Sequence, residues 1–242
     1  MLEIENLTKR FGGFTAVTGL SLKVGQGEVL GFLGPNGAGK TTTMKMVTGF
    51  LTPDSGTARI CGHDIGSDTL AAQARLGYLP EGAPAWGEMT PREFLGFISN
   101  VRGLHGEAGR AARDIAVART GLGSVLDRPI ENLSKGFRRR VGLAQAILHD
   151  PDVLILDEPT DGLDPNQKHV VRQLIREIAA KKTIVISTHA LEEVEAVCSR
   201  AVIINKGVLV ADGTPAELAA RAPGGKLDGL FKSLTSHEEA LA

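Results

Sequence analysis

The chain contains 242 residues, which is long enough to bury a substantial core as one large domain or two small ones. Its hydrophobic fraction of 42% and charged fraction of 23% are ordinary for a globular protein and exclude disorder over most of the length. A formal net charge of -1 argues against a protein whose main task is to coat nucleic acid. Cys61 and Cys198 lie far apart without metal-ligand spacing, which predicts reduced thiols. No window reaches the ~20 apolar residues that span a bilayer.

Two segments near the N-terminus alternate apolar and polar residues with a period of two. They are "LEIENL" and "GLSLKV", separated by the turn residues "FGG", and they are predicted to be strands of an antiparallel sheet with one covered face. The next segment, "EVLGFLG" at 28–34, is a near-continuous apolar run, which predicts a strand buried on both faces. A helical pattern follows it directly.

Helical and strand patterns alternate through the rest of the chain. Residues 91–120 place apolar side chains three and four positions apart, which predicts helices. Asp164 followed by Pro165 predicts a helix start, because Asp caps a helix and Pro suits its first turn. Three further apolar runs predict buried strands, at 152–157, 182–188 and 200–205. Alternation of helices with apolar strands implies a parallel α/β sheet.

The order of elements predicts an α/β fold with three parts. These are a core with a parallel sheet, an antiparallel N-terminal β subdomain, and an inserted α-helical subdomain at about 85–150. The domain is expected to cover residues 1–221, and residues 222–242 are expected to form a short linker and a last helix.

A phosphate-binding loop is predicted at "GPNGAGKT", Gly34 to Thr41, which matches G-x-x-x-x-G-K-[ST] between a strand and a helix. Gly37 and Gly39 let the backbone curl so that successive N–H groups point inward at a helix N-terminus, whose dipole favours anions. Lys40 adds a positive charge near the β- and γ-phosphates, and the Thr41 hydroxyl can bind Mg²⁺. The alternative is a chance glycine-rich turn, but the flanking strand and helix favour nucleotide binding.

Hydrolysis needs carboxylates as well, and "VLILDEP" supplies two at the end of a strand. Asp157 is predicted to hold Mg²⁺, directly or through water, and Glu158 to orient or deprotonate the attacking water. The alternative is an ordinary strand exit into a polar turn. The complete phosphate loop in the same chain favours the catalytic interpretation.

Taken in order, these motifs resemble the ATP-binding subunits of ABC (ATP-binding cassette) transporters over nearly the whole chain, from Leu2 to about Leu218. "VLILDE" resembles the Walker B strand with its catalytic glutamate, and "DGLD" at 161–164 resembles the D-loop that touches the opposite subunit. His189 resembles the switch histidine that contacts the γ-phosphate, and Phe11 the aromatic residue that stacks on adenine. Considered alone, such a His is more often structural and such a Phe more often part of the core.

The resemblance implies ATP and Mg²⁺ as cofactors and ATP hydrolysis as the activity. It implies that the catalytic residues are Lys40, Glu158 and His189. It implies metal contacts from Thr41, Asp157 and Glu81. The residues that it places at the nucleotide are Phe11, Gly34, Pro35, Asn36, Gly37, Ala38, Gly39, Lys40, Thr41, Thr42, Glu81, Ser134, Gly136, Asp157 and Asp164.

The segment "LSKGF" stands where the family carries its signature, usually LSGGQ. The resemblance implies that it binds the γ-phosphate held by a second subunit in a head-to-tail dimer. Ser134 would supply a hydroxyl, Gly136 a backbone N–H, and the following helix its positive end. Lys135 and Phe137 replace the family's glycine and glutamine, a variant that resembles ABC-2-type exporters, including multidrug and gliding-motility subgroups. Lys135 either touches the γ-phosphate or only marks that lineage.

The loop "GYLPEGAPAW" holds a second departure from the family. Glu81 stands where the Q-loop glutamine is usual; a glutamate can still approach Mg²⁺ or its water, but it adds a negative charge near the phosphates. The resemblance implies that a membrane permease docks on this loop, near Glu81–Trp86. Trp86, beside Pro84 and Gly87, suits an interface, and a partly buried packing role is the alternative.

Arg138, Arg139 and Arg140 follow the signature. Consecutive residues on a helix point about 100° apart, so the three arginines cannot form one stripe. Phe137 and Val141 belong to an apolar face that packs inward, and the arginines are expected to lie on a solvated helix surface, with one or two of them paired locally. Aromatic residues between the cations and further basic neighbours are missing, which argues against nucleic-acid binding.

Three functions are considered. The first is an ATPase subunit that dimerises with a second ABC ATPase subunit, as a homodimer or a heterodimer, and drives a separate permease, with export favoured. It would lie on the cytoplasmic face of the inner (plasma) membrane, held there through the permease. The second is a soluble ABC ATPase acting on ribosomes or nucleic acid, although such proteins usually carry a second cassette, a long coiled coil or zinc modules. The third is a binding-only regulatory module, against which the intact catalytic residues argue.

Overall fold

The computed structural model describes residues 1–82, 85–222 and 224–235. Its strands are β1 (Leu2–Phe11), β2 (Phe14–Val24), β3 (Val29–Leu33), β4 (Ser55–Ile60), β5 (His63–Asp64), β6 (Leu76–Leu79), β7 (Val153–Asp157), β8 (Thr183–Thr188), β9 (Arg200–Asn205) and β10 (Val208–Gly213). Its α-helices are α1 (Lys40–Val47), α2 (Thr69–Ala74), α3 (Pro91–Val101), α4 (Gly106–Thr120), α5 (Lys135–Ile147), α6 (Pro165–Ala179), α7 (Leu191–Val197), α8 (Pro215–Ala220) and α9 (Leu227–Thr235). The predicted tail at 222–242 falls partly outside the described residues, and α9 is its described helix.

The described strands form two sheets. In the first, with order β2-β1-β4-β5, every pair of neighbours is antiparallel. In the second, with order β10-β9-β3-β8-β7-β6, the neighbours from β9 to β6 run parallel, and β10 pairs antiparallel with β9 at the edge. The predicted α/β fold, with a parallel core and an antiparallel N-terminal sheet, is therefore confirmed.

The centre of the parallel sheet is buried on both faces. All residues of β3, β7 and β8 are buried, as their continuous apolar sequences predict. On one face, α1 and the antiparallel sheet share a single apolar core with the parallel strands. On the other face, helices α3 to α6 contribute to a second core. A core on each face fixes the register of the strands, because a slip by one residue would exchange the two faces.

Helices α3 to α5 lie between β6 and β7, where the sequence predicts a helical insertion. Thr90 caps α3 in a capping box with Glu93, and Pro91 occupies its first turn. The predicted helical stretch at 91–120 is divided in two near Gly103, which has a left-handed φ of 73°. The boundaries of the predicted domain and insertion remain predictions.

Helix α6 begins as predicted. Asp164 Oδ1 accepts a hydrogen bond of 3.0 Å from the Gln167 backbone N–H, and Pro165 is the first helical residue. The two cysteines are free thiols, also as predicted. No helix within the described ranges is long and apolar enough to cross a membrane.

The loops that follow β3, β8, β7 and β6 leave the parallel sheet at the same edge, because the carboxyl ends of parallel strands lie together. They carry the phosphate loop, His189, Glu158 and Glu81 in turn. The topology therefore gathers the sequence motifs from distant parts of the chain at one place.

Stability is expected to fall in mild acid because of His149, which lies just beyond α5. Its Nε2 donates to the Leu76 carbonyl at 3.0 Å, and its Nδ1 is buried without a hydrogen-bond partner. Burial lowers the pKa of His149 to about 4, and nearby Arg102 adds to the effect. In the unfolded chain the pKa of His149 is about 6.5, so between pH 6.5 and pH 4 the unfolded chain binds a proton that the folded chain does not bind. Stability is thus full above pH ~6.5 and declines as pH falls toward 4, by about 2 kcal/mol at pH 5.

The measurement is urea unfolding at pH 7.5 and pH 5 for the wild type and for His149→Gln. Glutamine cannot be protonated at this position. Between pH 7.5 and pH 5, the free energy of unfolding of His149→Gln should therefore fall by about 2 kcal/mol less than that of the wild type. Equal pH dependence in the two proteins would contradict the prediction.

Candidate functional site

The loop between β3 and α1 has a backbone that curls as a phosphate loop must. The Lys40 Nζ atom donates to the carbonyls of Gly34 at 2.7 Å and Pro35 at 3.2 Å, and thereby holds the loop closed. Gly39 has a φ of 104°, and a Cβ there would lie 2.5 Å from the Ala16 carbonyl oxygen. Only glycine fits at this position, for both reasons.

Most of the predicted site residues line one cavity of about 400 Å³ above the phosphate loop. They come from the edge of the antiparallel sheet, the phosphate loop, and the ends of β6, β7 and β8. The predicted residues that line it are Phe11, Pro35, Asn36, Gly37, Gly39, Lys40, Thr41, Thr42, Glu81, Asp157, Glu158 and His189. Gly34 and Ala38 belong to the loop backbone beneath it, where the Ala38 N–H donates to the Pro35 carbonyl at 3.2 Å.

The Lys40 ammonium is a buried positive charge that faces carboxylates. Burial lowers the pKa of Lys40, and Glu158, Asp157 and Glu81 oppose that effect. Its present hydrogen-bond partners are two backbone carbonyls of its own loop. An anion entering the cavity would offer this ammonium stronger, charge-assisted hydrogen bonds.

Asp157 has the character of a metal ligand. Its side chain is only 1% exposed, and its Oδ2 atom is buried without a hydrogen-bond partner. Burial raises the pKa of Asp157, and the negative charges of Glu81 and Glu158 add to the rise. A buried carboxylate oxygen without a partner is unfavourable, and a cation would relieve it.

The neighbouring oxygen atoms fit Mg²⁺. The Thr41 hydroxyl and the Glu81 carboxylate line the same cavity as Asp157, and oxygen ligands are those that Mg²⁺ prefers. Across the described residues, no cluster of three or more His, Cys, Asp or Glu side chains is arranged to hold a metal alone. Mg²⁺ does not require such a cluster, because it is usually held by one or two side chains together with substrate phosphates and water.

Glu158 is fixed by three hydrogen bonds. His189 donates to its Oε1 atom from the backbone N–H at 3.1 Å, and His189 Nδ1 lies 2.8 Å from the same atom. The Thr188 hydroxyl donates to Oε2 at 3.1 Å. Glu158 also has a left-handed φ of 50°, which is uncommon for a residue with a side chain. The carboxylate is thus held at the cavity wall, where it can accept a proton from a bound water.

Besides Gly34 and Ala38 of the loop backbone, three predicted residues do not line this cavity. Ser134 is the N-cap of α5, and its hydroxyl accepts a hydrogen bond from the Phe137 N–H at 3.3 Å. Gly136 packs so closely against the Gln167 side chain that a Cβ would overlap with it. Asp164 caps α6. The signature residues Ser134 and Gly136 therefore lie outside the cavity above the phosphate loop of the same chain.

Lys135, the unusual signature residue, has a partner within the chain. Its Nζ atom forms an ion pair of 2.8 Å with the Asp161 carboxylate, and its aliphatic part lies against Gly162. Asp161 in turn lines the candidate nucleotide cavity. The structure thus links the signature segment to the D-loop of the same chain.

The expectation that the three arginines lie on a solvated surface is wrong for two of them. Arg138 is exposed, but Arg139 and Arg140 are 6% and 9% exposed. Arg140 stacks on the Phe137 ring and donates to the carbonyls of Thr120 and Gly121. Since three consecutive helical residues point in directions about 100° apart, some of them must face the protein, where backbone carbonyls can accept from a guanidinium.

Three further residues line the cavity without having been predicted: Phe14, Ala16 and Asp161. Phe14 pairs with Phe11 across the β1–β2 hairpin, and the two rings are 61% and 50% exposed. The second phenylalanine in "FGGF" is the sequence signal that marks Phe14. Asp161 lies in the motif "DGLD", whose last residue rather than its first was predicted to bind nucleotide.

Comparisons with known proteins agree on one family. The family model described as "ABC transporter" matches residues 17–161. The chain is 41% identical to the Nod factor export ATP-binding protein I of Paraburkholderia xenovorans, over 90% of this chain and 72% of that protein. It is 37% identical to the linearmycin resistance ATP-binding protein LnrL of Bacillus subtilis, over 93% and 72%. A solved structure described as the ATP binding subunit of an ABC transporter superimposes with a TM-score of 0.87, at 29% identity, over 97% of this chain and 99% of that one.

Gly39→Ala is expected to weaken nucleotide binding, because it adds a clash with the Ala16 carbonyl to a left-handed φ. Backbone strain of about 1–3 kcal/mol corresponds to a loss of roughly five- to 150-fold in ADP affinity. The measurement is calorimetric titration with ADP and Mg²⁺. Gly123→Ala is the matched control, since a Cβ there meets open space, and it should bind ADP as the wild type does. Undiminished ADP affinity in Gly39→Ala would contradict the prediction.

Proposed function

The chain belongs to the ABC transporter family as an ATP-binding subunit, and from this premise we propose that it hydrolyses ATP to drive a separate membrane permease. The observation that carries the proposal is the meeting of Lys40, Asp157, Glu158 and His189 around one cavity. A basic loop for phosphates, a carboxylate suited to a cation and a carboxylate suited to a water are the components that phosphoryl transfer to water requires.

Each residue has a distinct role in the proposed reaction. Phe11 stacks on the adenine ring, and the phosphate loop encloses the phosphates with Lys40 as their charged donor. Thr41, Asp157 and Glu81 would hold Mg²⁺, which neutralises phosphate charge when bound. Glu158 accepts the proton of the attacking water.

His189 completes the proposed site by donating to the γ-phosphate. In the described structure His189 bonds to Glu158. His189 is therefore already placed beside Glu158, the residue proposed to accept the proton of the attacking water.

A second subunit, identical or different, would complete each ATP site. Ser134 and Gly136 stand at the N-terminal end of α5, a helix of 13 residues, and do not line the cavity of their own chain. We infer that they bind the γ-phosphate held by the second subunit, with the helix dipole adding to the attraction. Asp164, in the D-loop, would lie at the same contact.

The proposed permease contact is an aromatic cluster in which exposed Trp86 and Phe97 lie beside the buried ring of Phe94. Trp86 is 57% exposed and packs edge-on against Phe97, with ring centroids 5.1 Å apart, and against Phe94 at 6.1 Å. Exposed aromatic side chains held in place by one another are typical of interface anchors. Two residues of the predicted docking segment Glu81–Trp86, Ala83 and Pro84, lie outside the described residues.

Export is the proposed direction of transport, and the cytoplasmic face of the inner membrane is the proposed location, reached through the permease. The two relatives compared above are named for Nod factor export and for linearmycin resistance. The segment "LSKG" also resembles the signature variant of ABC-2-type exporters. The names of the two relatives favour a transporter over an ATPase that acts on ribosomes or nucleic acid.

Glu158→Gln is expected to bind ATP and accumulate as an ATP-bound dimer, because the amide cannot accept the proton of the attacking water. Turnover should fall by at least about 100-fold. The measurements are phosphate release and gel filtration with ATP and Mg²⁺. Lys40→Ala is the comparison variant, which should lose nucleotide binding and not dimerise. Full turnover in Glu158→Gln would remove Glu158 as the base.

The docking proposal predicts that a photo-crosslinking phenylalanine analogue at position 86 forms an adduct with an integral membrane protein when cells are irradiated. The same analogue at position 115 is the control. Ile115 is also largely exposed, at 53%, but lies on α4, outside the aromatic cluster. Adducts are identified by mass spectrometry. A ribosomal adduct at position 86, or equal membrane adducts at both positions, would contradict the proposal.

A further inference from the structure

Arg139 joins three segments that are far apart in sequence. It lies in α5, within two helical turns of the signature residues Ser134 and Gly136, and is 6% exposed. Its Nη1 donates to the Pro80 carbonyl at 2.8 Å, next to Glu81. Its Nη2 donates to the carbonyls of Asp157 and Glu158. One planar guanidinium thus bonds to the loop after β6 and to the end of β7.

The hydrogen bonds from Arg139 help to fix the backbone conformation of Glu158. The Glu158 N–H donates to the Ser187 carbonyl at 2.8 Å, so β8 fixes one side of the residue. Arg139 binds the carbonyl on the other side. Between the two, Glu158 adopts a left-handed φ of 50°, and its carboxylate meets His189 and Thr188. A residue held in an uncommon conformation needs surroundings that fix it, and Arg139 supplies one side of them.

Arg139 is also a buried positive charge within a group of carboxylates. Burial lowers the pKa of Arg139, and the charges of Asp157, Asp161, Glu158 and Glu81 oppose the effect. Arg139 and Glu81 line the same cavity of about 500 Å³, which adjoins the nucleotide cavity and shares Glu81, Glu158 and Asp161 with it. The positive charge of Arg139 therefore offsets part of the negative charge that Glu81 adds near the phosphates.

We propose that Arg139 is a positioning residue for ATP hydrolysis, which holds the Glu158 backbone and connects it to the signature helix. The proposal rests on the proposed function, since it assumes that Glu158 activates water. When Ser134 and Gly136 at the start of α5 engage the nucleotide of the second subunit, α5 carries Arg139 with it. The hydrogen bonds from Arg139 then set the Glu158 carboxylate and the Pro80–Glu81 loop in their reactive places. Arg139 itself does not line the nucleotide cavity.

The test measures kcat, KM for ATP and Kd for ADP in Arg139→Lys, Arg139→Gln and the control Arg138→Gln. Lysine keeps the charge, but its ammonium cannot reproduce the planar fork that reaches three carbonyls. Both Arg139 variants should lower kcat by about tenfold or more, with KM and Kd changed by less than about threefold. Arg138 is exposed, and its variant should behave as the wild type.

A double variant separates positioning from simple stabilisation. If Arg139 acts through the Glu158 carboxylate, Arg139→Lys should lower the residual turnover of Glu158→Gln by less than about twofold, because the group that it orients is already gone. If Arg139 only stabilises the fold, its effect should be the same in both backgrounds, which would overturn the proposal.

Two other outcomes are decisive. Wild-type kcat in Arg139→Lys and Arg139→Gln would overturn the positioning role while leaving ATP hydrolysis intact. Absence of turnover in the wild type would instead overturn the proposed function. Should Arg139→Gln fail to fold, as judged by thermal unfolding, Arg139→Lys decides by the same criteria.

Discussion

The site depends on the register in which four parallel strands end side by side. Leu33 at the end of β3 pairs with Thr188 of β8, Asp157 of β7 pairs with Ser187, and Leu79 of β6 pairs with Leu156. The residues that follow these strand ends are therefore forced to one edge. Because β3, β7 and β8 are buried on both faces, a slip by one residue would exchange the side chains of the two cores and disrupt the packing of both. The packing of the two cores fixes the register of the strands, and the same register places the polar side chains of the site.

Charged side chains are concentrated at this edge of the parallel sheet. Lys40 and Arg139 are both buried cations there, but their hydrogen bonds serve different purposes. Lys40 lines the nucleotide cavity and bonds to carbonyls of its own loop, which phosphate oxygens can replace. Arg139 does not line the nucleotide cavity and bonds to the carbonyls of Pro80 and Glu158. One cation is therefore available to the nucleotide, and the other is committed to the protein. Asp157, whose buried oxygen has no partner, is the complementary case of an anion available to a cation.

Much of the fold and site could be predicted because the signals are local. Two-faced burial makes a strand apolar throughout, and a phosphate loop needs its glycines and lysine at fixed spacing. The strands β4, β5, β6 and β10 had no such signal. The strands β5, β6 and β10 lie at sheet edges, and β4, "SGTARI", lies between β1 and β5 and gains its place by pairing with both. Edge strands depend on their neighbours more than on their own pattern.

The arginines show why the rest of the site could not be predicted. Helical periodicity predicts the direction in which each arginine points relative to Val141, but not which groups of the protein lie in that direction. The acceptors for Arg139 are backbone carbonyls of Pro80, Asp157 and Glu158, and a carbonyl is common to every residue type. A partnership between a side chain and the backbone of distant segments leaves no trace in residue identity. Phe14, by contrast, could have been found from the repeated aromatic in "FGGF".

Lys135 gains a physical interpretation from its partner. Its ion pair with Asp161 joins two side chains that are 62% and 53% exposed, and pairs of this kind contribute only about 0–1 kcal/mol. Such a pair keeps the ammonium next to the signature backbone and costs little to break. In the proposed dimer, a γ-phosphate held by the second subunit would carry more charge than one carboxylate and would compete with Asp161 for Lys135. Release of Asp161, which lines the nucleotide cavity of its own chain, would then report the occupancy of one ATP site to the other.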